Sequence, residues 1–179
     1  MRTVILGAAL VAVLVSWSAG CGGPSGQPDT GTIPQSFQVS ECGGFAQAGG
    51  ILLGDPLGYC DAEVLHWQYD PDLSRLSLTD ARAALNCCGE HSVAIELKDG
   101  VYLVYEKDLV GQGRCRCDCV FDFSLAAAGI PGGTLRLKIQ REVSESGVRT
   151  LFDDTLDLSP CSGALVLDET DAGIACQAP

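Results

Sequence analysis

Apolar and polar residues alternate with a period of two over most of the chain beyond Ala62, the spacing of a strand with one buried face. Leu65, Trp67 and Tyr69 alternate with Val64, His66 and Gln68, and Asp70-Pro71-Asp72 then makes a turn. Leu76 and Leu78 continue the alternation toward Asn86-Cys87-Cys88. The alanines within residues 79–85 would also suit a short helix capped by Thr79 or Asp80, but strand is the preferred reading. The runs 92–97 and 101–105 flank Lys98-Asp99-Gly100 and predict a hairpin, because Asp-Gly tolerates the positive φ of a type I′ turn. In Cys115-Arg116-Cys117-Asp118-Cys119-Val120-Phe121-Asp122-Phe123-Ser124-Leu125 every odd position is Cys, Phe or Leu. This pattern predicts a strand whose three cysteines share the phenylalanine face and point into the core. A turn at Gly129-Ile130-Pro131-Gly132-Gly133 leads into residues 134–139, and residues 150–158 and 164–167 are further strands. About seven short strands so spaced predict an all-β fold: an antiparallel two-sheet sandwich, immunoglobulin-like and stapled by disulfides.

The start of the chain follows a different pattern. Met1-Arg2-Thr3 carries one positive charge, and residues 4–15 form an apolar run of 12. A bilayer-spanning helix needs roughly 20 such residues, so this run reads as a signal peptide over residues 1–20. The Gly- and Pro-rich stretch that follows cannot bury a core, and residues 21–36 are expected to be a flexible tether. Residues 37–179 are then a single sandwich domain with a Gly-rich N-terminal segment.

Charge narrows the partners. The chain is formally −12, with 23 acidic against 11 basic residues, and loss of Arg2 with the leader would make it more negative. Such a balance repels phosphate backbones and anionic headgroups, so neither nucleic acid nor a polybasic membrane contact is expected. Asp153, Asp154, Asp157, Asp168, Glu169 and Asp171 match no calcium-loop spacing and read as solvated turns. Catalytic signatures are also missing: His66 and His91 are the only histidines, and no nucleophile elbow, phosphate loop or dinucleotide fingerprint occurs. His91 closely follows Cys88, but sequence adjacency does not make a Cys–His pair, and a turn histidine in a non-enzyme is expected.

Ten cysteines in an exported chain point to disulfides. Residues two apart on a strand are too far apart to be bridged, so Cys115, Cys117 and Cys119 should look across to other strands. Cys87 and Cys88 are adjacent, and one of them is expected to meet the cysteine strand. Cys42 with Cys60, and Cys161 with Cys176, each close a short loop and are the economical pairs. That leaves Cys87, Cys88, Cys115, Cys117 and Cys119, which permit two disulfides and one remainder. The alternative use of this cluster is a soft-metal site for Cu or Zn, although no Cys-x-x-Cys and no histidine pair accompanies it.

Ser18-Ala19-Gly20-Cys21 resembles the lipobox of bacterial lipoproteins, with Ser18 where that family usually carries Leu. The resemblance implies cleavage before Cys21, acylation of that cysteine with palmitate among the chains, and lasting attachment. Gly22, where an Asp would favour the inner membrane, implies the outer membrane, at either its periplasmic face or the cell surface. An ordinary secretory leader cut nearby would leave Cys21 as a thiol, and both readings export the protein. With Cys21 lipidated, nine cysteines remain, so one would be free, metal-bound or paired with another molecule. Asn86-Cys87-Cys88, Asp99-Gly100, Cys115-x-Cys117-x-Cys119 and Gly129-Ile130-Pro131-Gly132-Gly133-Thr134 together resemble a group of cysteine-rich bacterial lipoproteins over roughly residues 60–176. No activity comes with that resemblance. The function expected is therefore a membrane-anchored structural or binding module, and the alternative is a soft-metal or thiol-redox lipoprotein using the clustered cysteines.

Overall fold

The computed structural model describes residues 30–31, 33–43, 62–111, 113 and 115–168. The described residues form ten strands: β1 (Thr30–Gly31), β2 (Gln35–Val39), β3 (Glu63–Asp70), β4 (Arg75–Asn86), β5 (Gly89–Lys98), β6 (Val101–Val110), β7 (Asp118–Ala128), β8 (Thr134–Val143), β9 (Gly147–Asp157) and β10 (Ser162–Asp168). They assemble into two five-stranded sheets, ordered β1-β5-β6-β8-β9 and β10-β3-β4-β7-β2. Inward positions of both sheets meet in one apolar core that includes Leu65, Trp67, Leu78, Val104, Phe123 and Ile139.

Turn chemistry sets the hairpins. Asp70 Oδ1 accepts from the backbone N–H groups of Asp72 and Leu73 at 3.0 and 3.1 Å, which folds the chain from β3 into β4. Asp99 and Gly100 both have positive φ, 51° and 76°, and Lys98 faces Val101 across this two-residue turn, as the Asp-Gly signal predicts. Residues 79–85 are strand rather than helix. Their alternation is interrupted by a β-bulge: Asp80 lies opposite Phe123, Ala83 lies opposite Phe121, and Arg82 takes φ 71°. The extra residue switches the inward parity of β4, from Leu76, Leu78 and Asp80 to Ala83 and Leu85.

The sandwich expected from the sequence is therefore present, but its immunoglobulin-like form is not established. The centre of the first sheet holds a parallel β6–β8 ladder, with Tyr102 opposite Leu137 and Asp108 opposite Val143. Immunoglobulin sheets have antiparallel neighbours there. A parallel pair needs a crossover, and here β7 supplies it by running through the opposite sheet between β6 and β8.

The first two strands begin inside residues 21–36, the stretch whose composition suggests a tether. Ile33 is buried, and the Gln35 side chain acts as one more rung of the ladder. Its Nε2 donates to the carbonyl of Ile95 at 3.0 Å, and its Oε1 accepts from the N–H of Ile95 at 2.8 Å. The segment thus crosses from the β5 edge of one sheet to the β7 edge of the other. Gln35→Ala should strip both bonds from Ile95. Hydrogen exchange of the Ile95 amide is expected to quicken about fivefold, the equivalent of a lost bond worth about 1 kcal/mol; an unchanged rate would show that the side chain holds nothing.

Candidate functional site

Inward alternation does not stop where the apolar residues stop. Glu63 shares the inward face of β3 with Leu65 and Trp67, Asp80 that of β4 with Leu76 and Leu78, Glu106 that of β6 with Tyr102 and Val104, and Arg141 that of β8 with Leu137 and Ile139. All four charged residues are buried and converge between the sheets. Arg141 donates to both oxygens of Glu63, from Nη1 to Oε2 at 3.0 Å and from Nη2 to Oε1 at 2.8 Å. Nη2 also reaches Asp80 Oδ2 at 2.8 Å, and Glu106 Oε2 accepts from Nη2 at 2.6 Å and from Nε at 2.9 Å. The guanidinium carbon lies 5.8 Å from the centroid of the Phe123 ring, so an aromatic face adds to the carboxylates.

One cation cannot neutralise three carboxylates. Burial, and then the charges of Glu106 and Glu63, push Asp80 well above the usual carboxylate range; burial also raises Glu106, against the pull of Arg141. Burial alone would weaken the guanidinium's hold on its proton, but the three carboxylates outweigh it and Arg141 is held charged. Asp80 and Glu106 share a side-chain hydrogen bond, which between two carboxyl groups requires a proton, and the opposite directions of its effect assign that proton to Asp80. With no more than 5% of any of these side chains exposed, the centre is closed to ligands and acts as a clamp between the sheets.

A second polar layer lies nearer one end of the sandwich. His91 is on β5, not in a turn, and its Nε2 is 3.3 Å from Oδ1 of the buried Asp108 on β6. Its ring packs on Phe121 with centroids 4.2 Å apart. Glycine is required at position 89, because a side chain there would collide with the Asp108 carboxylate. Beyond this layer the end is capped by cysteines. Cys87 and Cys88 form the two-residue turn from β4 to β5, and each is bridged to the segment that precedes β7: Cys87 to Cys117, with Cα atoms 5.8 Å apart, and Cys88 to Cys115, at 5.5 Å. Buried Asn86 organises both bridges. Its Oδ1 accepts from the N–H groups of Cys88 and Cys115 at 3.1 and 3.2 Å, while Nδ2 donates to the carbonyls of Cys115 and Cys117 at 2.8 and 3.1 Å.

Several sequence expectations need correction here. Cys42 pairs with Cys119, not with Cys60, because β2 lies beside β7 and brings the two Cα atoms within 5.5 Å; Cys60 itself lies outside the described residues. Both Cys87 and Cys88 meet the cysteine segment, not one of them, since a turn rather than a strand carries them. Cys115 and Cys117 precede β7 and do not point into the core, and Cys117 is exposed; Cys119 alone packs against the core. The prediction that 115, 117 and 119 do not pair with each other holds. Cys161 is disulfide-bonded, and the expected pairing with Cys176 falls on a residue outside the description, as does lipidation of Cys21. The Cu or Zn alternative needs thiolates, which disulfide sulfurs do not supply, and no group of three His, Cys, Asp or Glu among the described residues is placed to hold a metal ion. Of the acidic residues considered for calcium, Asp153 is engaged by Arg136 at 2.6 Å and Lys138 at 3.2 Å, and Asp168 by Arg149 at 2.9 Å. Glu169 and Asp171 lie outside the described residues.

The comparisons add no relative. No family model, curated protein or solved structure matches the chain. What can be read at the site therefore rests on its own geometry: a sealed ionic clamp, and an open end where sulfur chemistry meets solvent.

The raised Asp80 carries a pH signature. The folded protein holds a proton there that the unfolded chain releases near pH 4, so this group's stabilising contribution is full below that pH and is lost as pH rises through its folded value. Asp80→Asn, which imitates the protonated acid, should flatten this dependence: its Tm is expected to match the parent at pH 4 and to equal or exceed it at pH 8. Arg141→Met leaves three buried carboxylates without a cation and should cost about 3–5 kcal/mol at pH 8, with a smaller loss at pH 4. Thermal melts at the two pH values decide; an Asp80→Asn protein destabilised mainly at pH 8 would contradict the retained proton.

Proposed function

We propose that the chain is an exported lipoprotein, cleaved before Cys21, anchored through acyl chains on that cysteine, and displaying the sandwich as a structural or binding module rather than an enzyme. The observation that carries this reading is the trio of bridges Cys42–Cys119, Cys87–Cys117 and Cys88–Cys115, since bonds of this kind persist in an oxidising compartment. The short apolar leader and the small residues before Cys21 supply the export route. An acidic chain has little electrostatic attraction to anionic headgroups, which leaves lipid as the link to the membrane, and no nucleic acid partner fits the charge. Gly22 favours the outer membrane, at its periplasmic face or at the cell surface.

Orientation follows on this reading. β1 starts at Thr30 opposite Lys98, beside the Asp99-Gly100 turn, so the anchored chain enters the sandwich at that end. The cysteine-capped end is the far one, because β5 and β7 run their full lengths before reaching Cys88 and Cys117. The module would then present its disulfide end away from the membrane, toward a partner in the envelope or outside the cell.

Replacing the anchor tests the reading. Cys21→Ser should move the protein from the membrane to the soluble fraction and abolish incorporation of labelled palmitate, with the sandwich still folded. A variant that still fractionates wholly with membranes would sink the lipoprotein reading.

A further inference from the structure

The described disulfides are not alike. Cys119 packs against the apolar core, and its bond to Cys42 pins β2 to β7. Each of the three bonds has one exposed residue, Cys42, Cys117 and Cys88 in turn, but neither partner of Cys87–Cys117 or of Cys88–Cys115 packs against the core. Opening these two bonds removes no core contact. The four cysteines would also keep their arrangement, because Asn86 fixes the backbones of Cys88, Cys115 and Cys117 through four hydrogen bonds that involve no sulfur.

We propose that Cys87–Cys117 and Cys88–Cys115 form a thiol–disulfide exchange site for a dithiol polypeptide, with Asn86 as the positioning residue that lets the bonds open and re-form in register. In the reducing direction a thiolate of the partner attacks exposed Cys88 Sγ. A mixed disulfide forms, the bond to Cys115 breaks, and Cys115 leaves as a thiolate that takes a proton from water. The partner's second thiol loses its proton and attacks its own sulfur in the mixed disulfide, expelling Cys88, which is protonated in turn. The chain gains two electrons and two protons, and the partner loses the same and closes its own disulfide. Cys117 is the point of attack for the second bond. The relative reduction potentials set the direction, so the reversed sequence oxidises a partner dithiol. The site is independent of how the chain is anchored.

The test titrates the full chain with dithiothreitol, traps thiols by alkylation, maps them by mass spectrometry, and follows folding by circular dichroism at each point. Cys87, Cys88, Cys115 and Cys117 are expected to be alkylated at about tenfold lower reductant ratio than Cys42 and Cys119, a difference of about 30 mV for a two-electron couple, with the sheet signal intact. Reoxidation by oxidised glutathione should restore both native pairs, whereas Asn86→Ala should return a mixture containing Cys87–Cys115 and Cys88–Cys117. The double variant Cys88→Ser, Cys115→Ser covers the case in which Asn86→Ala does not fold: it should fold and keep Cys87–Cys117. Three bonds opening together, native re-pairing without Asn86, or failure of the double variant to fold would each overturn the proposal and make these bonds purely structural.

Discussion

A single guanidinium holds the two sheets in register. Arg141 comes from β8 and takes Glu106 from β6 in its own sheet, while Glu63 and Asp80 come from β3 and β4 in the other. Apolar packing would bring two such sheets together in many relative positions, because burial is non-directional. Hydrogen bonds to three carboxylates are directional, and a buried charge left unpaired costs several kcal/mol, so sliding one sheet over the other is penalised steeply. We regard the clamp as a device for a unique arrangement more than for raw stability, since a buried ion pair often does no better than well-packed hydrocarbon of the same volume.

Other irregularities of the fold make sense around that clamp. The bulge at Ala81–Arg82 lets β4 point Asp80 inward from one parity and Ala83 and Leu85 inward from the other. Without it, Asp80 and Leu85 would face opposite sides of the sheet. The backbone N–H of Arg82, freed from the ladder, donates instead to Asp122 Oδ1 at 3.0 Å, so the bulge leaves no orphaned donor there. The parallel β6–β8 pair has a similar consequence. It sets Glu106 directly opposite Arg141, so that both side chains emerge on the same face at the same height.

Much of this was legible in the sequence, and the rest failed for identifiable reasons. Period-two alternation located β3 through β10, and Asp99-Gly100 fixed the β5–β6 hairpin, because both signals are local. The clamp was legible too, had the alternation been followed through its charged members: Glu63, Asp80, Glu106 and Arg141 each fall in step with the apolar residues of their strands. A charged residue in step with a buried face is read as the end of the pattern, when it is a buried group awaiting a partner that only the tertiary fold can name. The disulfide partners were not legible, because Cys42 meets Cys119 through a strand pairing between distant segments. The inward placement of Cys115 and Cys117 failed because periodicity cannot say where a strand begins. Asn86 draws the chain off the sheet just before Asp118.

That departure from the sheet divides the molecule's labour. Inside, the polar groups that join the elements are held by directional bonds: Arg141 is saturated with carboxylates, and Tyr69 donates to the buried carbonyl of Ile130 at 3.0 Å. A core built this way resists change, because any shift strands a charge or a donor. At the cysteine end the same economy of hydrogen bonds is used differently, since Asn86 satisfies backbone groups on two loops and leaves the sulfurs to be joined or not. The backbones of that end are therefore held by an amide as well as by the covalent bonds beside it. A fold whose sheets are fixed by buried charge can tolerate chemistry at its rim, and that separation makes an exposed pair of disulfides usable for exchange without cost to the sandwich beneath it.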